Sequence, residues 1–253
     1  MRALDPTGRF GDRADAYRRS RPSYPAALYE HLDERLGGLA GLRVADLGSG
    51  TGILTVDLLD RGCRVWAVEP NGAMRQEAEQ ALRGRDGFAS VAGSAEATGL
   101  AAGSIELVTA AQAFHWFDFE ATALELRRIL VPHGWVAVIW NDRRLAGAFL
   151  EEYEAFLLAW ADDYRKVRES YGVADRLGEL VAPGTLDCAV FDNHQDLDLE
   201  ALCARLLSSS YLPGPQHPRV DAMLEAAGEL FAAHERGGVV RIEYDCKLHL
   251  GRL

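Results

Sequence analysis

The run Val44-Ala45-Asp46-Leu47-Gly48-Ser49-Gly50-Thr51-Gly52 puts three glycines at alternate positions directly behind a short apolar segment. An apolar strand, a bare turn and an apolar helical pattern beginning at Ile53 make one βα unit. Glycine at the turn leaves main-chain N–H groups open to a ligand at a helix N-terminus.

The spacing limits which ligand that is. The dinucleotide fingerprint runs G-x-G-x-x-G, its third glycine serving helix packing; here the spacing is G-x-G-x-G, with Asp46 two residues ahead. An acid at the mouth of the loop disfavours a pyrophosphate and suits a ligand carrying an ammonium and a sulfonium. The next strand ends Val65-Trp66-Ala67-Val68-Glu69-Pro70-Asn71, so Glu69 stands where a carboxylate can accept both hydroxyls of a ribose. Ribose and positive charge without phosphate point to S-adenosylmethionine.

Outward from the loop, short β-type runs alternate with helical stretches between Arg43 and Asn141, the pattern of a parallel sheet with crossover helices. Strands are expected at Arg43–Leu47, Arg64–Val68, Ala89–Ala92, Ile105–Ala110 and Gly134–Ile139, and helices at Ile53–Asp60, Gly72–Arg83 and Phe119–Leu130. Pro132-His133-Gly134 should end the last helix and turn the chain into the next strand. Ahead of the core, a helix is expected at Ala26–Leu36. Beyond it, Phe149, Tyr153, Phe156, Leu157, Trp160 and Tyr164 form an amphipathic stripe. Helices at Leu199–Leu207 and Val220–His234 follow, with a strand at Leu186–Phe191. Val240, Ile242, Tyr244, Cys246, Leu248 and Leu250 alternate with polar residues, predicting an antiparallel closing strand with one solvated face.

The expected fold is therefore α/β: a doubly wound, Rossmann-like, mostly parallel seven-stranded sheet with an antiparallel C-terminal strand and a helical insertion. Four segments are expected: an N-terminal helical arm or lid (1–40), the cofactor-binding core (41–142), a helical insertion forming a substrate lid (143–237) and a closing strand (238–253).

Composition bounds the function. The 253 residues are 48% hydrophobic, enough for a full core, and 38 acids against 27 bases leave a net charge of -11. That balance repels a nucleic-acid backbone. The opening MRALDPTGRFGDR lacks an apolar signal region, and no stretch approaches a membrane span, so a cytoplasmic protein without membrane partners is expected. The four scattered cysteines signal neither a disulfide framework nor a metal site. Oligomeric state is open.

The strings VADLGSGTG, VEPN, GSAEATGL and AQAFHWFD, in that order, resemble the successive motifs of class I S-adenosylmethionine-dependent methyltransferases of the type-11 small-molecule group. With the arm YRRSRPSYP they are similar to a branch that includes trans-aconitate-methyltransferase-like proteins. The resemblance implies that Gly48, Ser49 and Gly50 face the methionine moiety with Asp46 near its ammonium, and that Glu69 takes the ribose. It further implies that Pro70, Asn71 and Met74 line one adenine face, that Ser94, Ala95 and Glu96 border the adenine edge, and that Gln112, Ala113 and Phe114 lie beneath the sulfonium. The sequence departs from the pattern at Ser94, where many relatives carry Asp. Tyr17, Arg21 and Tyr24 would close over the cofactor or touch the substrate.

His115 stands just past a strand end, where it is either a general base or a hydrogen-bonded packing residue. Trp116 shields the cleft or packs beneath the lid. The expected activity is in-line methyl transfer to a small-molecule acceptor through an O, N or C nucleophile, a small acid or natural product among the candidates. The alternatives are another S-adenosylmethionine chemistry, such as cyclisation or alkyl transfer, a non-catalytic binding protein, or a nicotinamide oxidoreductase.

Overall fold

The computed structural model describes residues 20–161, 164, 176–209 and 211–253. In chain order the elements are α1 (Ala26–Leu36), β1 (Arg43–Leu47), α2 (Ile53–Asp60), β2 (Arg64–Val68), α3 (Gly72–Ala81), β3 (Phe88–Val91), β4 (Ile105–Ala111), α4 (Phe119–Ile129) and β5 (Leu130–Arg143). There follow α5 (Ala148–Trp160), the single turn α6 (Leu177–Leu180), β6 (Asp187–Leu197), α7 (Leu199–Ser208), α8 (Val220–His234) and β7 (Val240–Arg252).

Seven strands form one sheet in the order β3-β2-β1-β4-β5-β7-β6. The first five run parallel, while β7 pairs antiparallel with both β5 and β6. Strand order reverses between β1 and β4, so their carboxyl ends open the crevice where such sheets hold ligands.

The sheet holds together because its central strands are apolar on both faces. Val44, Val65, Leu107 and Ile139 pack with Leu28, Leu32, Leu54 and Leu58 on one side. Ala45, Leu47, Val108 and Val138 pack with Leu126 and Ile129 on the other. The inward row of β7 serves two clusters: Cys246, Leu248 and Leu250 join the first layer, and Val240, Ile242 and Tyr244 meet the α5, α7 and α8 cluster.

Two elements differ from expectation. β5 begins at Leu130, not Gly134, and its register against β4 shifts between Ile105 and Leu107. Pro132 and His133 (φ 63°) lie within that bulge, where the proline removes no ladder donor. The strand expected at Leu186–Phe191 within the helical insertion is longer: β6 runs on to Leu197 at the edge of the sheet. Its second half, Asp192 to Asp196, is polar; it is fixed by pairing to β7 and by the two-bond Arg241–Asp196 ion pair, 2.7 Å on each arm, rather than by an apolar face. No helix among the described residues is long and apolar enough to cross a membrane.

Candidate active site

The glycine turn takes the shape its sequence permits. Gly48 (φ 64°) and Gly50 (φ 58°) occupy the left-handed region, which side chains disfavour. The N–H groups of Gly48 and Ser49 both donate to the Val68 carbonyl, at 2.9 and 3.2 Å, tying the turn to β2. A Cβ on Gly48 would stand 2.6 Å from the Ala113 Cβ, so the close approach of the turn to the β4 loop needs glycine.

Glu69, 7% exposed, joins the two loops. One carboxylate oxygen accepts from the Gly50 N–H at 2.9 Å, the other from the Asn71 N–H at 2.8 Å. Each oxygen therefore keeps a lone pair for a further donor, an arrangement matched to two adjacent hydroxyls. Burial raises its pKa against these two bonds.

Asp46 lies deeper. It is 1% exposed, and its two oxygens accept from Thr55 Oγ1 at 2.7 Å and Thr109 Oγ1 at 2.9 Å. Burial pushes its pKa up to about 6, against the two hydroxyl bonds and with a smaller push from the charge of Glu69. With Ser49 it borders a small side chamber of about 40 Å³ behind the turn. The Ser49 and Thr51 hydroxyls are buried without hydrogen-bond partners among the described residues.

The main cavity, about 270 Å³, opens at the crevice. Gly48, Gly50, Glu69, Pro70 and Met74 wall one end, and Ser94, Ala95, Glu96, Gln112 and Ala113 continue the lining. Gln112 holds φ 57°, a strained value for a non-glycine residue, and donates through Nε2 to the Asn141 carbonyl at 3.2 Å.

Besides Asp46, which borders only the side chamber, three expected residues do not line this cavity. Asn71 instead caps α3, its Oδ1 accepting from Ala73 N and Met74 N. Phe114 is buried against Phe117 and Phe119 in edge-to-face contacts. Ser49 faces the side chamber. Tyr17 lies outside the described residues.

His115 and Trp116 line the cavity, their ring centroids 4.5 Å apart, and Trp140 meets His115 at 5.0 Å. Burial among these rings pushes the imidazole pKa down to about 3, so the ring is neutral across the physiological range. Arg21, Pro22 and Tyr24 border the same cavity. Their segment is strapped across the sheet by Asn193 Nδ2, donating to the Ser23 carbonyl at 2.8 Å, and Gln195 Nε2, donating to the Ser20 carbonyl at 3.0 Å.

The far end of the cavity is built from Trp140, Arg143, Tyr164, Arg205, Tyr211 and Tyr244, of which the sequence reading singled out only Tyr164, as part of the aromatic stripe. A signal for two of them was present. Arg205 interrupts the apolar stripe of Leu202 and Leu206, and Tyr244 puts a hydroxyl on an otherwise aliphatic row. Among the described residues, no cluster of three or more His, Cys, Asp or Glu side chains could hold a metal ion.

Comparison with known proteins agrees with this geometry. A family model described as a methyltransferase domain matches residues 45–138. An uncharacterized methyltransferase-like protein of Schizosaccharomyces pombe is 30% identical over 221 residues, 83% of this chain and 81% of its own. The chain belongs to the class I S-adenosylmethionine-dependent methyltransferases. An uncharacterized methyltransferase of Mycobacterium tuberculosis is 40% identical over 134 residues, and the chain spans about half of that relative's length (52%). A solved structure described as a type II methyltransferase from Anaeromyxobacter dehalogenans superposes with a TM-score of 0.68 at 25% identity, over 92% of this chain and 97% of that one. In this methyltransferase the matched segment carries the glycine turn, Glu69 and the β4 end, while the far end of the cavity lies largely outside it.

Proposed function

We propose that the protein binds S-adenosylmethionine in the crevice between β1 and β4 and transfers its methyl group to a small-molecule acceptor held in the same cavity. The observation that carries this reading is Glu69. Its oxygens each hold one backbone N–H and keep a lone pair free beside a turn stripped of side chains, which fits a ribose diol and a close-lying methionine moiety.

When bound, the cofactor supplies a methyl group on a cationic sulfur, already activated for displacement. The chain then has to align two reactants, keep out water and accommodate any proton the acceptor releases. Glu69 would hold the ribose. Pro70 and Met74 would line one side of the adenine, with Ser94, Ala95 and Glu96 at its edge. Gly48 and Gly50 would admit the methionine moiety, with Gln112 and Ala113 lining the cavity beyond it. Asp46 acts from behind the turn, its buried charge favouring a cationic ligand across a low-dielectric gap. Asn71 acts indirectly, by capping α3 and presenting Met74. The modest volume of the cavity, about 270 Å³, favours a small acceptor over a polymer.

His115 is neutral and walled by indole rings, and an imidazole titrating near 3 is a weak proton acceptor. Its role in this proposal is to accept a hydrogen bond from the acceptor's nucleophile and to orient it, with proton removal completed by solvent or by an acceptor that arrives already ionised.

Calorimetric titration with S-adenosylmethionine, S-adenosylhomocysteine and NAD tests the reading. Micromolar binding of the first two without NAD is expected, followed by transfer of labelled methyl to an acceptor. Binding of NAD alone would overturn it. Glu69→Ala should weaken S-adenosylhomocysteine binding by at least roughly tenfold, about 1.4 kcal/mol; unchanged affinity removes Glu69 from the site.

A further inference from the structure

The cavity carries more aromatic surface than the methyl donor accounts for. Beyond the residues that fit the cofactor, its wall is made by Trp116 just after β4, Trp140 on β5, Tyr244 on β7, and Tyr164 and Tyr211. They fall into two groups. His115 stands against Trp116 and Trp140, at centroid separations of 4.5 and 5.0 Å, and Tyr164 meets Tyr211 at 5.1 Å. Ring faces and edges gathered in this way are best covered by another ring, which packs against them in offset or edge-on contact and asks for no hydrogen bond.

The charged groups at this end narrow the acceptor further. Arg205, 7% exposed, bonds the Tyr153 side chain, Gln195 Oε1 at 3.0 Å and the Ser20 carbonyl at 3.3 Å. Its hydrogen bonds go to the protein and none of these partners is a carboxylate, so its charge reaches the cavity as a field and not as a fork. Arg143 is paired to Glu154, and its remaining Nη1 is buried, as is the Tyr244 hydroxyl. Asp142 is paired to Lys247 at 2.8 Å. A protonated amine would therefore meet positive charge here, with no unpaired acid at this end among the described residues. An aliphatic alcohol would need a strong base, and the neutral His115 is a weak one. A phenol needs neither: it ionises at about pH 10 unaided, as tyrosine does, and a nearby positive charge favours its anion.

We infer that the acceptor is a hydroxy-aromatic compound, its ring packed among Trp140, Tyr164 and Tyr211 and its phenolic oxygen the nucleophile beside His115. This rests on the methyltransferase reading for the transfer step and on the aromatic wall for the ring. Because Trp140 meets His115 edge-on, a ring packed on the indole carries its hydroxyl within reach of the imidazole. His115 accepts the hydroxyl's hydrogen bond and holds the oxygen in place. In the transfer the phenolic proton passes to solvent and an oxygen electron pair forms the new O–CH3 bond. The pair of the broken S–CH3 bond stays on sulfur, so an aryl methyl ether and S-adenosylhomocysteine leave.

The test uses naphthol, its saturated counterpart decahydronaphthol, and naphthoate, all substituted at the same ring carbon. Each is titrated into the full chain with and without saturating S-adenosylhomocysteine and read by ligand-observed NMR. Naphthol should bind at least roughly tenfold more tightly than either of the others. Tyr211→Leu and Trp140→Leu should each narrow its margin over decahydronaphthol to about twofold, with S-adenosylhomocysteine affinity held within about twofold. Tyr211 is partly exposed, so its variant decides the matter even where Trp140→Leu fails to fold. His115→Leu should weaken naphthol severalfold and leave naphthyl methyl ether, which has no proton to donate, nearly unchanged.

Tighter binding of naphthoate would give this end of the cavity to a carboxylate and overturn the inference. Equal binding of naphthol and decahydronaphthol, or no binding of naphthol, would do the same by denying the aromatic wall a role. Naphthol and its ether weakened alike by His115→Leu would reduce the imidazole to packing and remove the phenolic oxygen from its side. Loss of S-adenosylhomocysteine affinity in Tyr211→Leu also overturns the inference, by assigning that ring to the cofactor. Failure of the unaltered protein to bind S-adenosylhomocysteine would remove the methyltransferase reading alone, because the arm without it still measures the preference for an aromatic ring.

Discussion

Gly48, Asp46 and His115 each make a measurable claim on their own. At Gly48 the backbone sits at φ 64° and an added Cβ would meet the Ala113 Cβ at 2.6 Å. Gly48→Ala should therefore cost about 1–2 kcal/mol in backbone strain alone, and more from the displaced β4 loop, seen as a lower melting temperature together with weakened S-adenosylhomocysteine binding. At Asp46 the folded carboxyl keeps its proton up to about pH 6, against an ordinary value of 3.8. Its contribution to stability is thus full below the lower value and is lost as the pH rises through the upper one, a penalty on the order of 3 kcal/mol at neutral pH. Asp46→Asn should raise the melting temperature at pH 7.5, leave it nearly unchanged at pH 4, and weaken S-adenosylmethionine binding; a variant less stable at both pH values would refute this account. The same ionisation should make the affinity of the unaltered protein for the cationic cofactor rise between pH 5 and 7. His115, titrating near 3, cannot supply an acid limb near 6 in kcat/KM. Such a limb, from Asp46, should persist in His115→Gln, and its disappearance would return the limb to the imidazole.

At the scale of elements, much of this was legible in the sequence because local pattern and tertiary role coincide. β1, β2, α1, α2 and α8 fall at the residues that hydrophobic periodicity and glycine breaks predict. The motif order likewise brought Glu69, Pro70, Met74, Ser94 and Gln112 to one cavity with the glycine turn. Where the reading fell short, long-range pairing decides the outcome. The polar half of β6 has no apolar alternation and exists because β7 lies beside it; β5 absorbs Pro132 in a bulge that only the register with β4 defines. Asn71 and Phe114 followed the motif, but one is consumed in capping a helix and the other in an aromatic cluster. The far end of the cavity could not be assembled from sequence. Arg143, Arg205 and Tyr244 come from β5, α7 and β7, and only the sheet order brings them together.

For the molecule as a whole, the question is how a site built at a sheet's open edge keeps out water. The segment carrying Arg21, Pro22 and Tyr24 closes one side of the cavity, yet its fastenings reach across the sheet to the last-paired strand. Asn193 and Gln195 of β6 hold the carbonyls of Ser23 and Ser20, and Asn141 of β5 adds a longer bond of 3.3 Å to Ser23. β6 thus has a function that its exposed, polar sequence conceals: it is the anchor for a strap. Each of the two shorter bonds contributes about 1 kcal/mol, so removing both should shift the balance between fastened and released strap by roughly 30-fold. The double substitution Asn193→Ala with Gln195→Ala should accordingly speed S-adenosylhomocysteine dissociation at least about fivefold, measured by stopped-flow competition. The thermal midpoint should fall only modestly, because neither side chain belongs to the apolar clusters, although Gln195 also accepts from the buried Arg205 and Asn193 also donates to Asn141. Unchanged dissociation would mean that the strap is held by other contacts, and a large fall in the midpoint would mean that these residues secure the β6 edge instead of the closure.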